Sequence, residues 1–181
     1  MPGRADATQT TLAPRFMQAE SRPLVDPEHA AFLQGCVSIS LGSRSSKNIP
    51  NVTRGFGCQM SSDRRRITIF LSAEQSRGFL SDIQENGAVA AVFSLPSTHR
   101  TVQLKGTDAT VGALSEGDLQ LVARYRDAFV SHLVGLRYSE ATMRTLVNCP
   151  NEELVSLTFS PCSAFSQTPG PAAGAPLGIG S

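Results

Sequence analysis

Polar and apolar residues alternate along Cys36-Val37-Ser38-Ile39-Ser40-Leu41, and this period of two predicts a strand with Val37, Ile39 and Leu41 inward. Asp26-Pro27-Glu28 before it reads as a helix start, with a cap residue followed by proline. Ala30, Ala31, Phe32 and Leu33 form the apolar side of that short helix, and Gly35 ends it. After a turn-rich stretch from Gly42 to Pro50, a second strand is predicted over residues 51–60 and a third over 66–71, with Ser61-Ser62-Asp63-Arg64 turning between them. A helix is predicted over 73–86, with Phe79, Leu80 and Ile83 on one stripe and Asn86-Gly87 as its stop. Residues 88–93 are almost wholly apolar and read as a central strand, and 101–111 as a long one. A long helix with Leu119, Leu121, Val122, Phe129, Leu133 and Leu136 follows, then a helical piece over 139–147 and a last strand over 154–159.

The order is thus six strands, mostly antiparallel, with helices inserted at three points. Its simplest packing is a mainly β, α+β domain: a small antiparallel barrel with flanking helices. Residues 1–24 read as a flexible arm, 25–165 as the domain, and 166–181 as a tail rich in proline, glycine and alanine without regular structure.

Composition narrows the function. With 40% apolar and 17% charged residues the chain can bury a core. A net charge of +1 supplies no electrostatic pull toward nucleic acid or an anionic membrane. No apolar run is long enough to span a bilayer, and the N-terminal residues lack a secretory h-region. Cys36, Cys58, Cys149 and Cys162 have no zinc-type spacing, so no metal site is expected, and the thiols read as free in a reducing cytoplasm.

Three groups of residues could carry chemistry. Ser72 stands where the strand over 66–71 meets the next helix, and Gln75 lies at capping-box distance. Ser76 and Arg77 add a hydroxyl and a guanidinium beside a helix N-terminus, which suits a phosphate but equally an ordinary capped helix with a solvated arginine. Arg54 lies by alternation on the face of Val52, Phe56, Cys58 and Met60, where a charge needs an anionic partner unless a bulge turns it outward. Gly55 and Gly57 leave the opposite face bare for a flat ligand or another backbone. Thr101, Gln103 and Lys105 form one polar strand face, facing either water or a ligand with ring carbonyls and nitrogens. No Ser-His-Asp or Cys-His arrangement, GxGxxG or Walker-type loop is legible.

The order of Phe70-Leu71-Ser72, Ser76-Arg77, Ile83-Gln84-Glu85-Asn86, the apolar strand over 88–93 and Arg100-Thr101-Val102-Gln103-Leu104-Lys105-Gly106 resembles the FMN-binding split barrels related to pyridoxamine 5'-phosphate oxidase. The resemblance implies a homodimer holding FMN between its subunits. It implies that Arg54 and Gly55 run along the ring and phosphate, and that Ser72, Ser76 and Arg77 hold the phosphate and ribityl chain. Arg100, Thr101, Gln103 and Lys105 complete the implied cofactor set, Thr101 standing where the family usually has a glutamine at the ring. The implied activity is an FMN-dependent oxidoreductase on an unidentified small molecule, with no side chain named as acid or base. The alternative is a non-catalytic flavin- or haem-binding module on the same barrel. Gly78 replaces a second basic residue, and the arginine-rich ending of the oxidase is missing, which argues against pyridoxamine phosphate as substrate.

Overall fold

The computed structural model describes residues 23–177. Among the described residues there are four α-helices, α1 (Pro27–Leu33), α2 (Arg77–Asn86), α3 (Asp118–Gly135) and α4 (Glu140–Leu146). Among the described residues there are nine strands: β1 (Ser38–Arg44), β2 (Pro50–Gly55), β3 (Cys58–Met60), β4 (Ile67–Ser72), β5 (Val89–Ser94), β6 (Thr101–Gly106), β7 (Thr110–Gly112), β8 (Leu154–Phe159) and β9 (Ser163–Ser166). They form two antiparallel sheets, ordered β2-β1-β5-β6-β9 and β3-β4-β8-β7. This is the expected antiparallel split barrel, α+β in class. The strand count differs because two predicted strands each divide between the sheets and because Ser163–Ser166 adds an edge strand.

The first division shows how residue type directs topology. After Gly55 the chain leaves β1, and the Phe56 N–H donates to the Phe70 carbonyl at 2.8 Å. A Cβ on Gly55 would lie 2.8 Å from Ile39 Cγ2 and 2.9 Å from Ile69 Cγ2, so only glycine lets the two sheets approach here. Gly57 continues the turn at φ +118, a conformation that L side chains rarely adopt. The opening left by these two glycines is therefore filled by the protein's own core. The same crossing breaks the alternation expected across this segment: Val52 is 76% exposed, whereas Phe56 is buried.

Ile39, Leu41, Ile67, Ile69, Leu71, Ala91, Phe93, Leu104 and Phe159 fill the barrel. A second cluster of Phe56, Phe70, Val122, Cys149 and Leu154 lies under α3, which covers the outer side of the four-stranded sheet. Within α3, Val122, Tyr125, Phe129, Val130 and Leu133 face inward, while Leu119 and Leu136 face solvent. Buried Asp82 of α2 ties that helix to the β1–β2 edge: it accepts from Ser43 Oγ at 2.7 Å and from Asn51 Nδ2 at 2.8 Å.

Part of the expected tail is ordered by pairing. The Gln167 N–H donates to the Thr101 carbonyl, and after a turn the Leu177 N–H donates to the Ala164 carbonyl, at 2.8 Å each. Residues 1–22 of the expected arm and 178–181 of the tail lie outside the described residues; Leu24 already packs on the core. No helix among the described residues is long and apolar enough to cross a membrane.

All four thiols are free. Cys58 is buried and donates to the Leu33 carbonyl at 3.1 Å, and burial pushes its thiol up to about 12. The native state thus keeps this proton after the unfolded chain has lost its own. This contribution to stability is complete below the ordinary thiol range and is lost as pH rises toward about 12. Urea unfolding between neutral and alkaline pH should show Cys58→Val flattening that decline by on the order of 1.4 kcal/mol per pH unit. An unchanged slope would rule out this role.

Candidate functional site

Among the described residues, the outer face of the five-stranded sheet carries half-buried and exposed positions, and strand register assigns them. Arg54 pairs with Ser40, Ser40 with Val92, Val92 with Gln103 and Gln103 with Phe165, giving one row across all five strands. The row on one side runs Val52, Gly42, Ala90, Lys105, Ser163. The row on the other side contains Ser38, Ser94 and Thr101. Arg54, Thr101, Gln103 and Lys105 therefore share one surface, although residues 54 and 103 are far apart in sequence.

Their partners differ. Arg54 Nη1 is buried and has no hydrogen-bond partner. An unpaired buried donor costs about 1–3 kcal/mol, so an acceptor arriving here is favoured. The guanidinium also lies in the field of Tyr125; burial raises that phenol and Arg54 opposes the rise. Thr101 Oγ1 and Ser94 Oγ are 2.9 Å apart, and Gln103 Oε1 accepts from Gln167 Nε2 at 3.3 Å. Lys105 Nζ sits 5.0 Å above the Phe165 ring.

The other candidates are placed elsewhere. Gly55 faces the core. Arg100 donates to Glu28 at 2.9 Å and lies over the Phe32 ring, which clamps α1 to the β5–β6 loop. Ser72 is fully buried, donates to Glu153 Oε2 at 2.9 Å and accepts from the Gln75 N–H at 3.2 Å. That bond closes a turn; α2 starts four residues after the predicted position, with Ser76 as its N-cap. Ser76 is also buried, its hydroxyl 2.6 Å from Thr53 Oγ1. Arg77 is 74% exposed and pairs with Glu74. The two serine hydroxyls thus brace the strand-to-helix junction, and Arg77 marks it on the surface. A Cβ at position 78 would lie 2.8 Å from Asn51 Oδ1, so a longer residue there must displace Asn51 from Asp82.

Two features escape sequence reasoning. At the ends of β1, β5, β6 and β9 lies a groove of about 510 Å³ lined by Arg44, Lys105 and Cys162 over Gly42, Ala88 and Ala90. Arg44 sits in a stretch that reads only as turn-rich, so no local signal marks it. Arg126 of α3 lies over the Phe56 ring, 5.4 Å from its centroid, with Nε and Nη2 buried and unpaired. Burial raises the nearby Cys149 thiol, opposed by Ser72 and Arg126. Among the described residues no group of three or more His, Cys, Asp or Glu could hold a metal ion.

No protein-family model and no curated protein sequence matches the chain. Solved structures do match. An F420 reductase aligns over 77% of this chain and 98% of its own at a TM-score of 0.52 and 15% identity. HupZ of Group A Streptococcus aligns over 83% and 99% at 0.51 and 13% identity. The chain shares the fold of these two proteins, an antiparallel split barrel. A putative pyridoxamine 5'-phosphate oxidase of Lactobacillus delbrueckii covers 78% of this chain and 93% of its own, at a TM-score of 0.48 and 12% identity. At such identities the likeness is one of fold. The split barrel explains the two bonded β-layers and the crossings at Phe56 and beyond Gly106; the site must be argued from its own residues.

Proposed function

We propose that this split barrel is an FMN-binding flavoprotein, a homodimer that encloses the cofactor against the outer face of its five-stranded sheet, and an oxidoreductase. The observation that carries this reading is the buried, unpaired Nη1 of Arg54 in one row with Gln103. A flavin offers ring carbonyls, ring nitrogens and a phosphate, which are the acceptors such a surface lacks. Arg54, Thr101 and Gln103 would hold the polar edge of the ring. Arg77 would meet the anionic end, while Lys105 would border the cofactor from the next row without holding it, and Ser72 and Ser76 would be positioning residues that keep the α2 junction in shape. Arg100 and Gly55 would act indirectly, through the placing of α1 and the sheet crossing. The bound flavin would supply electron or hydride transfer, and the protein binding and orientation. The likeness to an F420 reductase supports testing this cofactor class first.

A dimer is supported by exposed Val52 and Ile49 at the edge of this face, since exposed apolar surface gains by covering. Four free thiols support a reducing cytoplasm. Protein purified without added cofactor should absorb in the flavin bands, or bind FMN on titration with quenching of its fluorescence, and should sediment as a dimer. A colourless protein that leaves FMN fluorescence unchanged would overturn the reading.

A further inference from the structure

The groove beyond Lys105 has a composition of its own. Its floor is Gly42, Ala88, Ala90 and Gly106, none with a side chain beyond Cβ, so a flat ring can lie on it. Two cations, Arg44 and Lys105, line it, and no carboxylate does. Three surface arginines are neutralised by carboxylates: Arg77 pairs with Glu74, Arg100 with Glu28, and Arg144 with Glu140 and Asp127. Arg44 instead donates to the neutral Asn48 Oδ1 at 2.9 Å, and Lys105 rests over an aromatic ring. Among the described residues neither has an acidic partner. Two uncompensated cations over a smooth, mainly apolar floor select a small planar anion.

We infer that this groove binds an aromatic carboxylate and that such a molecule is the substrate class of the protein. Only the word substrate rests on the flavin reading: Ala90 and Lys105 belong both to the groove and to the row beside Arg54 and Gln103, so a ligand here borders the proposed cofactor face. The guanidinium of Arg44 supplies a two-pronged seat for the carboxylate and the Lys105 ammonium a point charge. The exposed Cys162 on the groove wall reports occupancy.

The test is a calorimetric titration of the FMN-saturated protein with naphthalene-2-carboxylate and with its neutral analogue naphthalene-2-methanol, repeated without FMN. The carboxylate should bind at least about tenfold more tightly than the alcohol, and Arg44→Gln should remove that preference. Ala90→Leu, which fills the floor, should abolish binding of both compounds. Saturation with the carboxylate should slow alkylation of Cys162 by iodoacetamide, read by peptide mass spectrometry. Equal binding of the two compounds, or a preference untouched by Arg44→Gln, would overturn the inference. Loss of FMN affinity in Arg44→Gln would also overturn it, by making the groove the cofactor's own anion seat. If FMN fails to bind while the carboxylate still binds in an Arg44-dependent way, the groove stands as an anion site and the flavin reading alone falls.

Discussion

Arg54→Leu should leave the cofactor-free protein at least as stable as the parent and weaken its binding of FMN by about tenfold to hundredfold. The two effects have opposite signs for one reason. In the free protein Nη1 is buried without an acceptor, so removing the guanidinium relieves an unmet desolvation cost of about 1 kcal/mol or more. In the complex the same group makes a charge-assisted bond, and those contribute about 1.5–3 kcal/mol. Urea unfolding of the cofactor-free protein and fluorescence titration with FMN measure the two terms separately. A variant that unfolds more easily yet binds FMN as before would make Arg54 a packing residue. Its burial would then be explained by its aliphatic stem on the sheet.

Gly106→Ala should cost about 2–3 kcal/mol, because this position has no room for a methyl group. A Cβ there would lie 2.5 Å from Phe159 Cδ2 and 3.2 Å from the Ser160 carbonyl oxygen. Phe159 is fully buried in the barrel and cannot swing aside without opening a void. The ring is the obstacle, so Phe159→Leu, itself destabilising, should cost less in the Gly106→Ala background than alone. A double-mutant cycle by chemical denaturation should give a coupling of about 1 kcal/mol or more. Additive losses would show that the backbone at Ser160 sets the limit instead.

Local pattern determined a good deal of this protein. Alternation placed Val37, Ile39 and Leu41 on the barrel side, and they are buried there. Asp26 caps α1 through its bond to the His29 N–H, and Gly87 ends α2 in a left-handed conformation, as their residue types require. The order of elements predicted a small antiparallel barrel with flanking helices, because strand period, helix stripe and turn residues are short-range properties; the split barrel came from the resemblance of the ordered motifs. The polar row Thr101, Gln103, Lys105 was legible for the same reason, since one strand's register is set within itself.

What the tertiary structure decided are properties that need two distant segments at once. Phe56 follows Arg54 by two residues, yet the sheet crossing sends one outward and the other into the core, and that depends on Ile39 and Ile69 closing over Gly55. Whether the hydroxyls of Ser72 and Ser76 are available depended on Glu153 and Thr53, which local spacing cannot supply. The joining of Arg54 to Gln103 across two intervening strands, and the meeting of Arg44 with Lys105 over a floor of glycine and alanine, exist only through cross-strand pairing. Sequence determines which side of its own strand or helix a residue takes, because that follows from backbone period. The partner it meets there is chosen by long-range packing, and partners decide which polar groups remain free to bind.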